Sequence, residues 1–223
     1  MNKAFIFDLD GVLIDDEQIW EDEKSKLYIK VFGKEVADRL GSTIGINIDG
    51  IYEKAVSCGT QIPKERLVSA FYELAPTIYQ TAPIPAGLDN LVIFLKENNF
   101  VIGIVSASPL PWITTVTKRL SFENDITLII SLYDRPDLPH KPAPDGYIEA
   151  IQSLEATPAS TFILEDSNAG IESAKDSGAF TIGLQQNLTK GYKQNGADAY
   201  AATARDVIEI VRQRIENPIK AVG

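Results

Sequence analysis

Residues 3–7 form a short apolar, β-prone run that turns polar at once, with acids at Asp8 and Asp10. This is the pattern of a buried strand that ends in two carboxylates. The stretch 16–81 has a different period. Ile48, Ile51, Tyr52, Ala55 and Val56 recur at helical spacing, as do Leu67, Phe71, Leu74 and Ile78 with Pro63 ahead of them. Trp20, Leu27 and Val31 make a third, weaker stripe. No strand-like alternation interrupts this stretch, so it predicts a helical insertion, and Pro83 and Pro85 mark a stiff return to the main body.

Beyond residue 87 helices and apolar runs alternate. The pattern predicts helices over 87–98, 110–120, 144–155 and 168–177, preceding strands over 100–105, 126–130, 161–164 and 180–183, with a closing helix over 204–215. Continuous apolar runs alternating with helices indicate a parallel sheet covered on both faces. Crossovers in such sheets are right-handed. The expected architecture is therefore α/β: a doubly wound, Rossmann-like parallel sheet core from residues 1–15 and 82–223, with an α-helical cap domain at 16–81.

Composition narrows the chemistry. The 223 residues are 44% hydrophobic and carry a net charge of −10. An acidic surface repels nucleic acid and anionic membranes, so neither is an expected partner. An anionic substrate would need a metal, a lysine or a helix N-terminus. Cys58 is the only cysteine and His140 the only histidine, which removes disulfide frameworks, Cys- or His-based zinc sites and Ser-His-Asp triads. No apolar run has the length of a membrane span or a signal peptide, so the expected location is cytoplasmic. Nothing demands more than a monomer, a dimer being the alternative.

Ligands of open α/β sheets bind at the carboxyl ends of the strands. Asp8 and Asp10 follow the first predicted strand, and Ser106, Ala107 and Ser108 the second. His140 and Lys141 lie in the loop after the third, and Glu165 and Asp166 follow the fourth. Converging carboxylates repel one another unless a cation sits among them, and all-oxygen ligation suits Mg²⁺. A lysine and a hydroxyl beside them suit a phosphate oxygen. A carboxylate can attack phosphorus, and a neighbouring carboxyl can serve the leaving group and then water as acid and base.

These segments resemble, in order, the motifs of the haloacid dehalogenase-like hydrolases: Phe7-Asp8-Leu9-Asp10-Gly11-Val12, Val105-Ser106-Ala107-Ser108, Lys141-Pro142-Ala143-Pro144, and Leu164-Glu165-Asp166-Ser167 with Ala169-Gly170. The resemblance runs from residue 3 to about 185 and includes the helical insertion, which matches that family's small cap. It implies a Mg²⁺-dependent phosphatase acting on a small phosphorylated molecule. In it Asp8 is nucleophile and metal ligand, and Asp10 is general acid/base with its carbonyl on the metal. Ser106 and the Ala107 amide hold the phosphoryl group, Lys141 holds Asp8 and the phosphate, and Asp166 ligates the metal. Glu165 is either a ligand or one step removed. The helix starting near Asn168 adds a positive dipole end. Cap residues Trp20, Ser42 and Thr43, with the loop to Ile44, are expected to reach the substrate, although Trp20 has an equal alternative as a core residue.

The resemblance also separates subfamilies. Beta-phosphoglucomutase-like members carry a histidine where this chain has Trp20, which speaks against a sugar-phosphate mutase, the second reading. The segment Asp15-Asp16-Glu17-Gln18-Ile19-Trp20 is similar to the start seen in several sugar phosphatases, with Asp16 in place of a serine. True dehalogenases lack the second aspartate, and Asp10 argues against that chemistry. Lys24, Lys26 and Lys30 match a phosphonatase lysine by position only and read as solvated helix-face charges. A third reading, a catalytically silent binding or regulatory protein, would fit a chain missing a motif residue, and none is missing here.

Overall fold

A computed structural model describes residues 1–41, 43, 46, 48–188 and 191–217. In chain order the elements are β1 (Asn2–Phe7), α1 (Glu17–Phe32), α2 (Lys34–Leu40), α3 (Ile48–Ser57), α4 (Lys64–Thr81), α5 (Leu88–Glu97), β2 (Phe100–Ser106), α6 (Leu110–Thr117), β3 (Ile126–Ser131), α7 (Asp145–Ser153), β4 (Ala156–Glu165), α8 (Asn168–Asp176), β5 (Phe180–Leu184), β6 (Ala199–Ala201) and α9 (Ala204–Glu216). The chain divides into two compact units, one of Met1–Asp15 with Pro83–Gly223, the other of Asp16–Ala82. No helix among the described residues is long and apolar enough to cross a membrane.

The first unit holds the expected doubly wound sheet. Six parallel strands run in the order β3-β2-β1-β4-β5-β6. The chain leaves β1 toward β2 and β3, then crosses back to lay β4, β5 and β6 on the other side. The order therefore reverses between β1 and β4, and the crevice outside their carboxyl ends is where such folds bind ligands. Helices α5 and α9 pack on one another and on one face of the sheet, and α7 and α8 on the other.

The alternation of side chains along β1 feeds both faces. Ala4 and Ile6 join Val105, Tyr147, Ile151, Ile163 and Ala174 in the core beneath α7 and α8. Phe5 and Phe7 point the other way, their rings 4.7 Å apart, and Phe5 stacks on Phe162 at 6.4 Å. Because β1 is buried on both faces, it reads in the sequence as an unbroken apolar run.

Three details differ from the sequence expectation. β4 begins at Ala156, five residues early, entered through Glu155 at φ 53°. Its first half carries Thr157, Pro158, Ser160 and other half-exposed residues that look like loop. β6 has only three residues, too few for periodicity to show. α6 stops at Thr117 and a 3₁₀ turn at Glu123–Asp125 leads into β3.

Among the described residues every regular element of the second unit is a helix, and the unit has its own core. Leu67, Ala75 and Ile78 of α4 are buried, as are Ile51 and Ala55 of α3 and Leu27 of α1. α4 continues through Pro76, held by its buried stripe.

Ile6 is fully buried and pairs in register with Gly103 and Ile163. Truncating it leaves a cavity at the centre of the sheet. Ile6→Ala is expected to cost about 2–5 kcal/mol, read from the shift in urea unfolding; a loss under about 1 kcal/mol would show that the core collapses around the gap.

Candidate active site

The first acid is fixed by the sheet itself. The Asp8 amide donates to the Leu164 carbonyl (3.0 Å), extending the β1–β4 pairing one residue beyond β1. The Leu9 carbonyl then accepts from the amides of Val12, Leu13 and Ile14, which turns the chain away. Gly11 sits at φ 74°, and a Cβ there would overlap the Asp166 carboxylate. The turn can thus pass against the Asp166 carboxylate only with glycine at this position. The loop after β5 supports the turn: Asn187 Nδ2 donates to the Gly11 carbonyl (2.9 Å), and Gln194 Nε2 to the Asp166 carbonyl (2.6 Å).

Lys141 reaches into the centre of the site from the loop before α7. Its Nζ donates to Asp8 Oδ1 (2.5 Å), Glu165 Oε1 (2.6 Å) and the Val105 carbonyl (3.2 Å). Its side chain is 9% exposed and that of Glu165 is 0%. Glu165 is held from every side. Oε1 also accepts from the Tyr147 hydroxyl (2.8 Å), whose ring lies 5.0 Å below the ammonium. Oε2 accepts from the amides of Asp166 and Ser167 and from Ser167 Oγ. Ser167 Oγ in turn caps α8 by accepting from Gly170 N (3.0 Å). One carboxylate therefore ties the lysine to the first turn of α8.

On the β2 side, Ser108 Oγ donates to Asp10 Oδ2 (2.8 Å), while Ser106 Oγ lies 3.5 Å from the same oxygen and accepts from Ser108 N (3.0 Å). Ala107 is exposed between them.

A family model described as "Haloacid dehalogenase-like hydrolase" matches residues 5–184, a span that contains all of these groups except Asn187 and Gln194. The chain belongs to the haloacid dehalogenase-like hydrolase family. Among curated proteins it is 29% identical over 179 residues to hexitol phosphatase B of Escherichia coli (strain K12), covering 77% of this chain and 78% of that protein. It is 28% identical to beta-phosphoglucomutase of Bacillus subtilis (strain 168) over 96% of each chain. A solved haloacid dehalogenase hydrolase, family IA, variant 3, from Entamoeba histolytica superposes with a TM-score of 0.78 at 23% identity, covering 96% of this chain and 100% of that one.

For this haloacid dehalogenase-like site, the donor set fits a divalent cation. Asp8, Glu165 and Asp166 are buried and each offers an oxygen within 4.8 Å of the others. Ionised together and set against Lys141 alone, they leave two units of negative charge away from water, which a divalent ion would balance. Burial pushes the Asp8 carboxyl up to about 8, against the pull of Lys141 and with Glu165 and Asp10 adding to the rise. Burial alone would lower the Lys141 ammonium, but Asp8 and Glu165 hold it well above the ordinary lysine value.

The structure brings Asp8, Asp10, Ser106, Lys141, Glu165 and Asp166 to one sheet edge. Trp20 and Thr43 lie in the helical unit. Trp20 is 9% exposed, with its ring 5.6 Å from Phe71 and 6.3 Å from Tyr79, and Thr43 Oγ1 is 3.0 Å from the Tyr28 hydroxyl. Ser42 and Ile44 fall outside the described residues. His140 is exposed. Sequence reasoning missed Tyr147, Asn187 and Gln194 and gave Ser108 no role. Tyr147 had a visible signal, an aromatic in the first turn of the helix that follows Lys141. The two amides come from a loop without periodicity.

Two outcomes follow from this geometry. Alanine in place of an interior helical glycine ordinarily gains about 0.5–1 kcal/mol. At Gly170 a Cβ would overlap the Glu165 carboxylate, so Gly170→Ala should instead lower the melting temperature; an increase would show that Glu165 can yield. A divalent cation held by Asp8 would have to displace its proton. Mg²⁺ affinity, measured by calorimetry, should rise about tenfold per pH unit below pH 8 and level off above it, and a flat profile from pH 6 to 9 would contradict the raised carboxyl.

Proposed function

We infer that this chain is a phosphatase that hydrolyses a small phosphate monoester, a sugar or sugar-alcohol phosphate by its likeness to hexitol phosphatase B. The observation that carries the mechanism is the Lys141 clamp. Its ammonium fixes one oxygen of Asp8 at 2.5 Å, so the other oxygen is the one presented to phosphorus. Asp8 attacks, the bond from its oxygen to phosphorus forms, and the bond to the sugar oxygen breaks. Asp10 donates a proton to the departing oxygen. It then takes a proton from water, whose oxygen attacks the aspartyl-phosphate, releasing inorganic phosphate and restoring Asp8.

Ser106 and the Ala107 amide hold the phosphoryl oxygens, and Lys141 offsets their charge. Asp8, Asp166 and the Asp10 carbonyl would hold Mg²⁺, which would supply neutralisation of the charge between nucleophile and phosphoryl group. Glu165 accepts from five donors of the protein. This supports a role in holding Lys141 and the Asp166 backbone, rather than the ion. Trp20 and Thr43 are proposed to shape the substrate side of the cap.

A mutase that passes the phosphoryl group to a second sugar hydroxyl is the competing reading, favoured by the 96% coverage of beta-phosphoglucomutase. Trp20 in place of that subfamily's histidine speaks against it.

With Mg²⁺ present, a screen of sugar and sugar-alcohol phosphates should release inorganic phosphate. Asp8→Asn should lower kcat at least about a thousandfold, and chelation should abolish turnover. Wild-type rates in Asp8→Asn would sink the nucleophile. Isomer conversion without phosphate release would select the mutase, and no turnover across the panel despite bound Mg²⁺ would select the silent binding protein.

A further inference from the structure

Asp10 has two hydroxyls near it, and they are not equivalent. Ser106 Oγ lies 3.5 Å from Asp10 Oδ2, at the outer limit of a hydrogen bond, and accepts from the Ser108 amide. Its proton is therefore better placed for an incoming phosphoryl oxygen than for Asp10. Ser108 Oγ lies 2.8 Å from the same Asp10 oxygen, the distance of a strong hydroxyl–carboxylate bond.

The backbone of Ser108 is also locked. Its amide is taken by Ser106, and its carbonyl accepts from Ser131 Oγ (2.8 Å). Ser131 shares its proton with Asp134 Oδ2 (2.9 Å), and that same carboxylate oxygen accepts from the Leu110 amide (2.7 Å), capping α6 from the loop after β3. Pro109 follows and disfavours the helical region for Ser108. With both backbone groups held and the residue 9% exposed, only the rotor about Cα–Cβ remains, and Asp10 sets it.

We propose that Ser108 is a positioning residue for Asp10: its hydroxyl engages Oδ2 and so orients the carboxyl that passes the proton to the leaving group. Asp134 and Ser131 stiffen the loop that carries it. The inference rests on the reading of Asp10 as general acid in the hydrolysis above. The role differs from that of Ser106, which serves the phosphoryl group, and it separates the two serines of one Ser-Ala-Ser string by function.

A misplaced acid matters only where the leaving group needs a proton. The test compares kcat/KM for an alkyl sugar phosphate with that for 2,4-dinitrophenyl phosphate, whose leaving group departs unprotonated. Ser108→Ala should lose about 10- to 100-fold on the alkyl ester and less than about threefold on the activated ester. Turnover of the activated ester shows in the same assay that the variant is folded and its phosphate loop intact. Asp10→Asn should show the same selectivity more steeply, and adding Ser108→Ala to it should cost nothing further, since the two act through one contact.

Equal loss on both esters in Ser108→Ala, or an added loss in the Asp10→Asn background, would overturn the assignment of Ser108 while leaving Asp10 as the acid. Equal loss on both esters in Asp10→Asn would remove the acid role itself, and with it this inference. Failure of the wild-type protein to hydrolyse either ester would remove the phosphatase reading on which both depend.

Discussion

An ammonium with 9% of its side chain exposed, set between carboxylates that are about equally or more deeply buried, is costly to assemble. Asp8 and Glu165 hold the Lys141 ammonium well above the ordinary lysine value, and Lys141 opposes the protonation of Asp8 that burial favours. The three groups therefore depend on one another, and much of the surrounding structure serves them. β1 and β4 pair so that Asp8 and Glu165 emerge side by side. Tyr147 adds its hydroxyl and the face of its ring, and Ser167 and the first turn of α8 complete the shell of Glu165. Deleting one partner would leave a buried charge uncompensated, so the cost would far exceed that of a surface ion pair.

How much of this was legible in the sequence depends on the kind of signal each feature leaves. β1, β2 and β5 were legible because strands buried on both faces must be apolar without interruption. The helical unit was legible from its three-to-four spacing. The second half of β4 was visible as 161–164, whereas its first half, half-exposed and containing Pro158, imitates a loop. β6 left no trace at three residues. Among site residues, those at strand ends were found because topology dictates where to look.

Other parts of the site could not be found that way. Ser108 reads identically to Ser106, and only the distance to Asp10 separates them. Asn187 and Gln194 act through side-chain amides on carbonyls of Gly11 and Asp166, far away in sequence. Such contacts are properties of the folded chain alone. The choice between metal ligand and support for Glu165 was likewise open, because its neighbours Tyr147, Ser167 and Lys141 come from three separate segments. Trp20 was balanced between core and substrate wall, and an aromatic on a helical stripe carries no information about which.

The strand order has a consequence for synthesis. β1 is made before the other five strands but lies inside the sheet, and its two neighbours are β2 and β4. A growing chain cannot complete one side of β1 until residue 106 has emerged, nor the other until residue 165. Until then an apolar strand waits with an open edge, a state prone to mispairing with other chains. Residues 16–82, whose contacts are local in sequence, face no such delay. Asp8 thus leaves the ribosome well before residue 165, and its surroundings are assembled only after both neighbouring strands are in place.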